Sequence, residues 1–228
     1  MKRSEINQIL RQAQVFLDEH RFVLPPLSKW SPDDWQSKGS ECRRIVEQQM
    51  GWDITDFGSG DFERVGLFLF TMRNGVAAET DLPGAKVYAE KVLLVRDGQI
   101  TPTHFHWQKM EDIINRGGGE LVLELWNSHG DRELSDSEVL VVCDGVQRSL
   151  PAGRPLVLQP GDSVTLPQRL WHKFYGRGGT VLVGEVSRVN DDRTDNNFHE
   201  PIGRFPTIQE DEPPVHLLVG DYGRYYRF

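Results

Sequence analysis

From residue 51 onward the chain is a succession of short β-favouring runs broken by turn residues, and no other feature narrows the fold as much. "RVGLFLFTMRNG" ends in Asn74-Gly75 and "KVYAEKVLLVRDG" ends in Asp97-Gly98. "WDITDFG", "ELVLELW", "EVLVVCDG", "RPLVLQPGD" and "TVLVGEVS" are likewise set apart by Gly, Pro and Asp. β-Branched and aromatic residues in runs of this length pack well on a pleated surface, and Asn-Gly or Asp-Gly supplies the positive φ of a tight hairpin. A series of such strands predicts an antiparallel sandwich or barrel over 51–228. There is no repeat of fixed period and no low-complexity segment.

Residues 1–50 have a different texture. Ile6, Ile9, Leu10, Ala13 and Leu17 fall on one helical stripe over 4–17, with Ser4 as the expected cap and Pro25-Pro26 as the stop. In "SPDDW" Ser31 is expected to cap a second short helix, with Pro32 at its first position and acids in its first turn. The prediction is an all-β barrel with an N-terminal helical segment packed on it, one structural domain overall. At 228 residues the chain is long enough to bury a substantial core.

Charge and cysteine content exclude several roles. There are 26 basic against 34 acidic side chains, a net charge of −8, which disfavours a nucleic-acid backbone or an anionic membrane as partner. A small neutral or cationic molecule suits that balance. "MKRSEINQILRQAQVF" makes a poor signal peptide, and no apolar run reaches the length of a membrane span. Cys42 and Cys143 stand far apart in no paired motif, so a disulfide framework is not expected and the cytoplasm is the expected compartment.

Two of the seven histidines, His104 and His106, stand one residue apart in "TPTHFHWQKMED". In an extended strand they share a face, with Phe105 on the other. Glu111 joins them if the chain turns back, as the Gly-rich run after it permits. Two neutral imidazoles and a carboxylate suit a divalent first-row metal. Taken alone, the pair reads equally well as two surface or hydrogen-bonded histidines. The wider spacing is more specific. Gly98, five residues, His104, one, His106, four, Glu111, six, Gly118 resembles the first motif of the cupin superfamily. "GDSVTLPQRLWHKFYG" resembles the second, with Gly161, Pro167 and His172 in place, Arg169 at the second glycine and Gly176 at the asparagine. The resemblance implies a jelly-roll barrel holding a metal through His104, His106, Glu111 and His172. Three nitrogens and one oxygen leave open positions on a six-coordinate ion, which suits Mn²⁺ or Fe²⁺ better than Zn²⁺. A purely structural ion is the alternative.

Four residues outside that set carry further chemistry. Lys109 lies two before Glu111, so in an extended segment both point one way, and a buried lysine beside a metal has its pKa lowered towards acid–base range. A lysine snorkelling from a barrel rim fits the same position. Lys91 shares its strand face with Leu93 and Val95, a costly placement without a partner, although an edge strand also uses lysine to block pairing. Glu185 shares a face with Val181, Val183 and Ser187 and so points inward, as a proton carrier or as the partner of an arginine. Arg204, in "HEPIGRFP", offers a fork of donors to hydroxyls or sits on the surface. It closes the most polar and least periodic stretch, 188–206, and a loop of that length is either mobile or functional.

"THFHWQKMEDIINRGGGEL", "WHKFYG", "GEVSRVNDDRTDNNF" and "EPIGRFP" together are similar to the D-lyxose ketol-isomerases, over nearly the whole chain. That resemblance implies a Mn²⁺-dependent, homodimeric, cytoplasmic enzyme interconverting D-lyxose with D-xylulose, and secondarily D-mannose with D-fructose. It implies Lys109 and Glu185 as catalytic residues, and Lys91 and Arg204 as sugar contacts. The N-terminal helix and the final "GDYGRYYRF" are the aromatic surfaces expected to meet a twin. A single base moving a proton between C2 and C1 of a cis-enediol is the expected route, with Glu185 as first choice and a hydride shift as the other. The competing readings are an Fe²⁺ cupin dioxygenase, which would consume O₂, and a non-catalytic sugar-binding cupin, which has no need of both Lys109 and Glu185 inside.

Overall fold

The computed structural model describes residues 1–130 and 132–227; Phe228, part of the expected aromatic terminus, lies outside the described residues. After helices α1 (Arg3–Glu19), α2 (Pro32–Gln36) and α3 (Arg43–Glu47) come twelve strands among the described residues. These are β1 (Gly51–Thr55), β2 (Leu67–Arg73), β3 (Tyr88–Val95), β4 (Ile100–His106), β5 (Glu111–His129) and β6 (Glu133–Ser135), then β7 (Val139–Cys143), β8 (Val146–Leu150), β9 (Leu156–Leu158), β10 (Ser163–Leu166), β11 (Trp171–Arg188) and β12 (Asn196–Phe198). A last turn of helix, α4, covers Tyr222–Tyr225.

Two long strands organise the rest. β5 and β11 run antiparallel along most of their lengths. Their outer halves extend one sheet in the order β1-β2-β3-β11-β5-β10-β7-β8. Their inner halves carry β4, with β12 beyond it, on the β11 side and β9 on the β5 side. Each long strand thus passes from one sheet into the other, the jelly-roll arrangement. The passage occurs where the β5–β11 register shifts between Arg177 and Val181. Gly118 sits there at φ +87°, and a Cβ on it would stand 2.1 Å from the Thr180 carbonyl oxygen. Only glycine fits so close an approach. The Gly-rich run is therefore the corner of a continuous strand. The reversal that brings Glu111 back to the histidines happens earlier, in residues 107–110, before β5 begins.

The interior between the sheets is filled by Leu69, Leu93, Ile113, Leu121, Leu123, Val164, Val181 and their neighbours. The outer face of β1–β3, with Trp52, Ile54, Phe68, Phe70, Val92 and Leu94, is covered by the Ile6, Ile9, Leu10, Ala13 and Leu17 stripe of α1. Burial on both faces explains why β2 and β3 read as dense apolar runs rather than alternating ones.

Three local expectations are corrected. Lys2, not Ser4, precedes α1; Ser4 lies inside the first turn, where its amide and hydroxyl both donate to Asp211 at 2.9 and 2.7 Å. The helix stops at Glu19, well short of Pro25-Pro26, because Arg21 adopts φ 54°. Asn74-Gly75 makes no tight hairpin: the buried Asn74 amide donates instead to the carbonyls of Gln48 and Asn190. Asp144-Gly145, at φ 50° and 80°, does turn β7 into β8. Ser31 caps α2 as expected, accepting from the Asp34 amide. Of the terminal tyrosines, Tyr222 and Tyr226 are buried against Trp35 of the same chain, and Tyr225 is half-buried.

Candidate active site

The strand pairing brings the four expected ligands together. His104 and His106 share a face of β4, and His172 lies directly across from His104 on β11. Glu111 opens β5 after the 107–110 reversal. That reversal is held from outside: the Asp195 carboxylate accepts from the Gln108 and Lys109 amides at 2.7 and 3.1 Å, and the Trp107 amide donates to the Asp195 carbonyl. Three nitrogens, one from each of His104, His106 and His172, lie within 4.8 Å of one another. Glu111 Oε1 stands 3.4 Å from His106 Nε2 and 3.3 Å from His172 Nε2. All four side chains are buried.

The hydrogen bonds of two rings show what this cluster accommodates. His104 Nδ1 is 2.7 Å from the Pro102 carbonyl and His172 Nδ1 is 2.9 Å from the Leu170 carbonyl. A carbonyl only accepts, so each Nδ1 carries the proton and each Nε2 presents a lone pair. Those two Nε2 atoms face each other at 3.1 Å. Burial holds the His104 imidazolium well below its ordinary pKa, and lowers His172 to about 4, so neither ring gains a second proton near neutrality. Two lone pairs confronting each other, beside a carboxylate oxygen, have no favourable arrangement except around a cation. The residues fit a metal ion, and the backbone carbonyls behind two of the rings fix their tautomers as metal sites require. His106 differs in that its Nδ1 is buried without a partner.

A charged relay abuts the cluster. Lys109 Nζ donates to Glu111 Oε2 at 2.6 Å and to Glu185 Oε1 at 2.8 Å. Lys91, opposite Glu185 in the β3–β11 register, approaches the same Oε1 at 3.3 Å and donates to Asn190 Oδ1 at 2.6 Å. Burial opposes the Lys109 charge, but the two carboxylates outweigh it, so its pKa is raised rather than lowered. Among the protein's own groups, carboxylates on two sides favour the ammonium more than desolvation disfavours it, the opposite direction to the lowering expected beside a metal. Glu111 is held well below the usual carboxylate range, burial being outweighed by Lys109 and the histidines.

A family model described as D-lyxose isomerase matches residues 1–222. The chain belongs to the D-lyxose isomerase family. It is 46% identical over 228 residues to the D-lyxose/D-mannose isomerase of Escherichia coli O157:H7, covering 99% of this chain and 100% of that one. The relative of the same description from Serratia proteamaculans is also 46% identical, covering 99% of both chains. Its fold is similar to that of the L-ribose isomerase of Cellulomonas parahominis, at TM-score 0.60, 19% identity, 92% of this chain and 98% of that one. The fold is thus the all-β cupin barrel with N-terminal helices.

Within this family member, Lys91 is neither on an edge strand nor on a rim: β3 lies between β2 and β11, and the side chain is buried. Glu185 pairs with lysines, not with an arginine. Arg204 is not a surface residue; its Nη2 donates to Asp53 at 2.7 Å and approaches Asp192 at 3.1 Å. Among the described residues, His104, His106, Glu111, Lys109, Lys91, Glu185 and Arg204 all line one cavity, and His172 lies behind it in contact with His104. The sequence reading missed Asp53, Asn190, Asp192 and Asp195. Asp53 alternates with Trp52 and Ile54, so a charge on the inner side of an apolar strand was its available signal. The other three sit in the aperiodic 188–206 stretch, where no spacing rule indicates direction. Phe198 from the same stretch lies 5.5 Å from the His104 ring and 5.6 Å from Phe57.

Proposed function

We propose that this chain is a metal-dependent aldose–ketose isomerase interconverting D-lyxose and D-xylulose, and secondarily D-mannose and D-fructose, through a cis-enediol. The observation that carries the reading is the Glu185–Lys109 pair set against the four converging acceptor atoms in one buried cavity. The relatives at 46% identity are described as acting on D-lyxose and D-mannose, and the identity runs the full length.

His104, His106, His172 and Glu111 would hold the ion, and the mixed nitrogen–oxygen set with room for further ligands suits Mn²⁺. When bound, a divalent cation supplies Lewis acidity to adjacent oxygens of an open-chain sugar. Glu185 takes the proton from C2 and returns it to C1 on the same face. Both lysines make their closest approach to its Oε1, which orients the carboxylate without capping its other oxygen. Lys109, favoured as an ammonium, donates towards the sugar oxygens as charge grows there and recovers the proton afterwards. Lys91 and Arg204 hold sugar hydroxyls. Excluding bulk water is the work of the apolar lining, Leu67, Leu69, Leu93 and Phe174 among it.

Residues 1–50 and the barrel of 51–228 fold together as one unit, supported by the α1 stripe that covers β1–β3. A homodimer in the cytoplasm is part of the same proposal, resting on the family likeness and the acidic composition. No helix among the described residues is long and apolar enough to cross a membrane. The deciding experiment is a sugar panel with added Mn²⁺, following aldose loss against ketose gain. Turnover of D-lyxose to D-xylulose is expected; O₂ consumption, or sugar binding without turnover, would overturn the reading.

A further inference from the structure

Thr101 takes part in no step derived so far, yet an irregularity in the strand pairing sets its placement. On β11, His172 and Phe174 are two residues apart; their partners on β4, His104 and Thr101, are three apart. β4 therefore carries one extra residue, a bulge at Pro102–Thr103. A bulge changes which face the chain presents beyond it. Strict alternation from His104 and His106 would put Thr101 on the outer face with Phe105. The extra residue turns it instead to the face of His104, opposite the inward Phe174. Proline is tolerated in a strand at such a bulge. Here the Pro102 carbonyl also holds His104 Nδ1, so one irregularity both orients a ring and redirects a hydroxyl.

That hydroxyl has nothing to bond. Thr101 is buried, and its Oγ1 is without a hydrogen-bond partner. Its neighbours around the cavity include Leu67, Leu69, Leu93 and Phe174, and among the residues that line it Thr101 carries the only hydroxyl. A buried polar atom left unsatisfied costs stability, and a site that leaves one unsatisfied without ligand is arranged to satisfy it with ligand. A second such atom lines the same cavity: Arg204 Nη1, whose sister nitrogen makes both carboxylate contacts.

We infer that Thr101 is a specificity-determining residue, its Oγ1 exchanging a hydrogen bond with a sugar hydroxyl beyond C2. The inference rests on the isomerase reading above and deepens it. A threonine hydroxyl both donates and accepts, which matches a neutral alcohol better than a carbonyl or a charged group. D-Lyxose and D-mannose have the same configuration at C2, C3 and C4, so a contact to the C3 or C4 hydroxyl reads what the two sugars share. It leaves C5 unread.

The test compares the wild-type protein with Thr101→Val, which keeps the shape and removes the hydroxyl, and Thr101→Ser, which keeps the hydroxyl. Each is assayed with D-lyxose, 3-deoxy-D-lyxose and 4-deoxy-D-lyxose, and each is melted free of metal and sugar. Thr101→Val should lower kcat/KM for D-lyxose roughly tenfold, while Thr101→Ser stays within about threefold. With one of the two deoxy sugars Thr101→Val should cost nothing further, because the bond is already missing. The metal-free Thr101→Val protein should melt no lower than wild type, since it loses an unsatisfied group. Unchanged kcat/KM, equal losses with all three sugars, or a clear fall in melting temperature would each overturn the assignment. Failure of the parent reading looks different: the wild-type protein then turns over no sugar at all.

Discussion

Glu185→Gln isolates the proposed base with little change of shape. The amide oxygen can still accept from Lys109 and Lys91, at positions now 2.8 and 3.3 Å from their ammonium groups, but the negative charge is gone. Each lysine keeps another partner, Glu111 for Lys109 and Asn190 for Lys91. The structural cost is then that of weakened charge-assisted bonds, about 1–3 kcal/mol, or a fall of roughly 2–10 °C in melting temperature for a chain of this size. The catalytic cost is larger. Removing a positioned general base typically costs ~10²–10⁴ in rate, about 3–5 kcal/mol of barrel-site barrier by the usual conversion. The assay is kcat on D-lyxose beside metal content by atomic emission, with a parallel reaction in deuterated water. Expected are a loss of at least ~100-fold, normal metal loading, and loss of whatever solvent deuterium the wild type places in product. A near-normal rate would refute the base assignment, since among the described residues Glu185 is the one carboxylate outside the metal-ligand set that the Lys109 ammonium reaches.

Three other outcomes test separate parts of the site. His104→Ala should weaken divalent-metal binding by roughly 100-fold or more, exceeding what loss of a mere supporting contact costs; normal ion content after dialysis would overturn the ligand set. The metal-free protein should lose stability as pH falls, because His172 has a folded pKa of about 4 against an ordinary 6.5. Between those values the unfolded chain binds a proton that the folded one refuses, so stability is full above 6.5, falls through that window, and is lost below it. His172 alone contributes about 3 kcal/mol, and His104, lowered in the same direction, adds to it. Denaturant melts at pH 7 and 4.5 that coincide would contradict this. Asp195→Asn replaces an acceptor for the Gln108 and Lys109 amides by a group with one oxygen, so the 107–110 turn should loosen. Kcat should fall about tenfold through misplacement of Lys109, with metal content unchanged; an unaltered kcat would show that the turn holds itself.

What was readable in the sequence was whatever depends on strand parity and short spacing. His104 with His106, Lys91 with Leu93, and Glu185 with Val183 each follow from the period of two, and all point inward. Wherever the period is broken, the reading failed. The extra residue at Pro102–Thr103 hides Thr101, since nothing local says which strand of a pair carries a bulge. The Gly-rich run after Glu111 looked like a turn because glycine marks both turns and tight corners, and only the partner strand distinguishes them. Asn74-Gly75 looked like a hairpin, but Asn74 is captured by Asn190, distant in sequence. Lys109 was read by its desolvation, which is a local property, whereas its charge is decided by Glu185, brought from another strand. Pairing between distant segments is the information a single sequence conceals.

The charges in the cavity suggest why a lysine is placed between two acids rather than beside one. Lys109 touches Glu111 and Glu185 at 2.6 and 2.8 Å, so its ammonium stands at the junction of the metal-ligand side and the proton-transfer side. In the proposed reaction Glu185 loses its negative charge on accepting the C2 proton, and an equal charge appears on the sugar oxygens. The charge has moved by a few bond lengths without being created or destroyed. A cation adjacent to both positions at the moment of that transfer interacts favourably with its reactant and its product. A lysine on only one side would stabilise one end of the transfer and raise the barrier to the other. The double contact that favours the Lys109 ammonium thus serves the proposed reaction as well, because it keeps a cation beside both ends of the transfer.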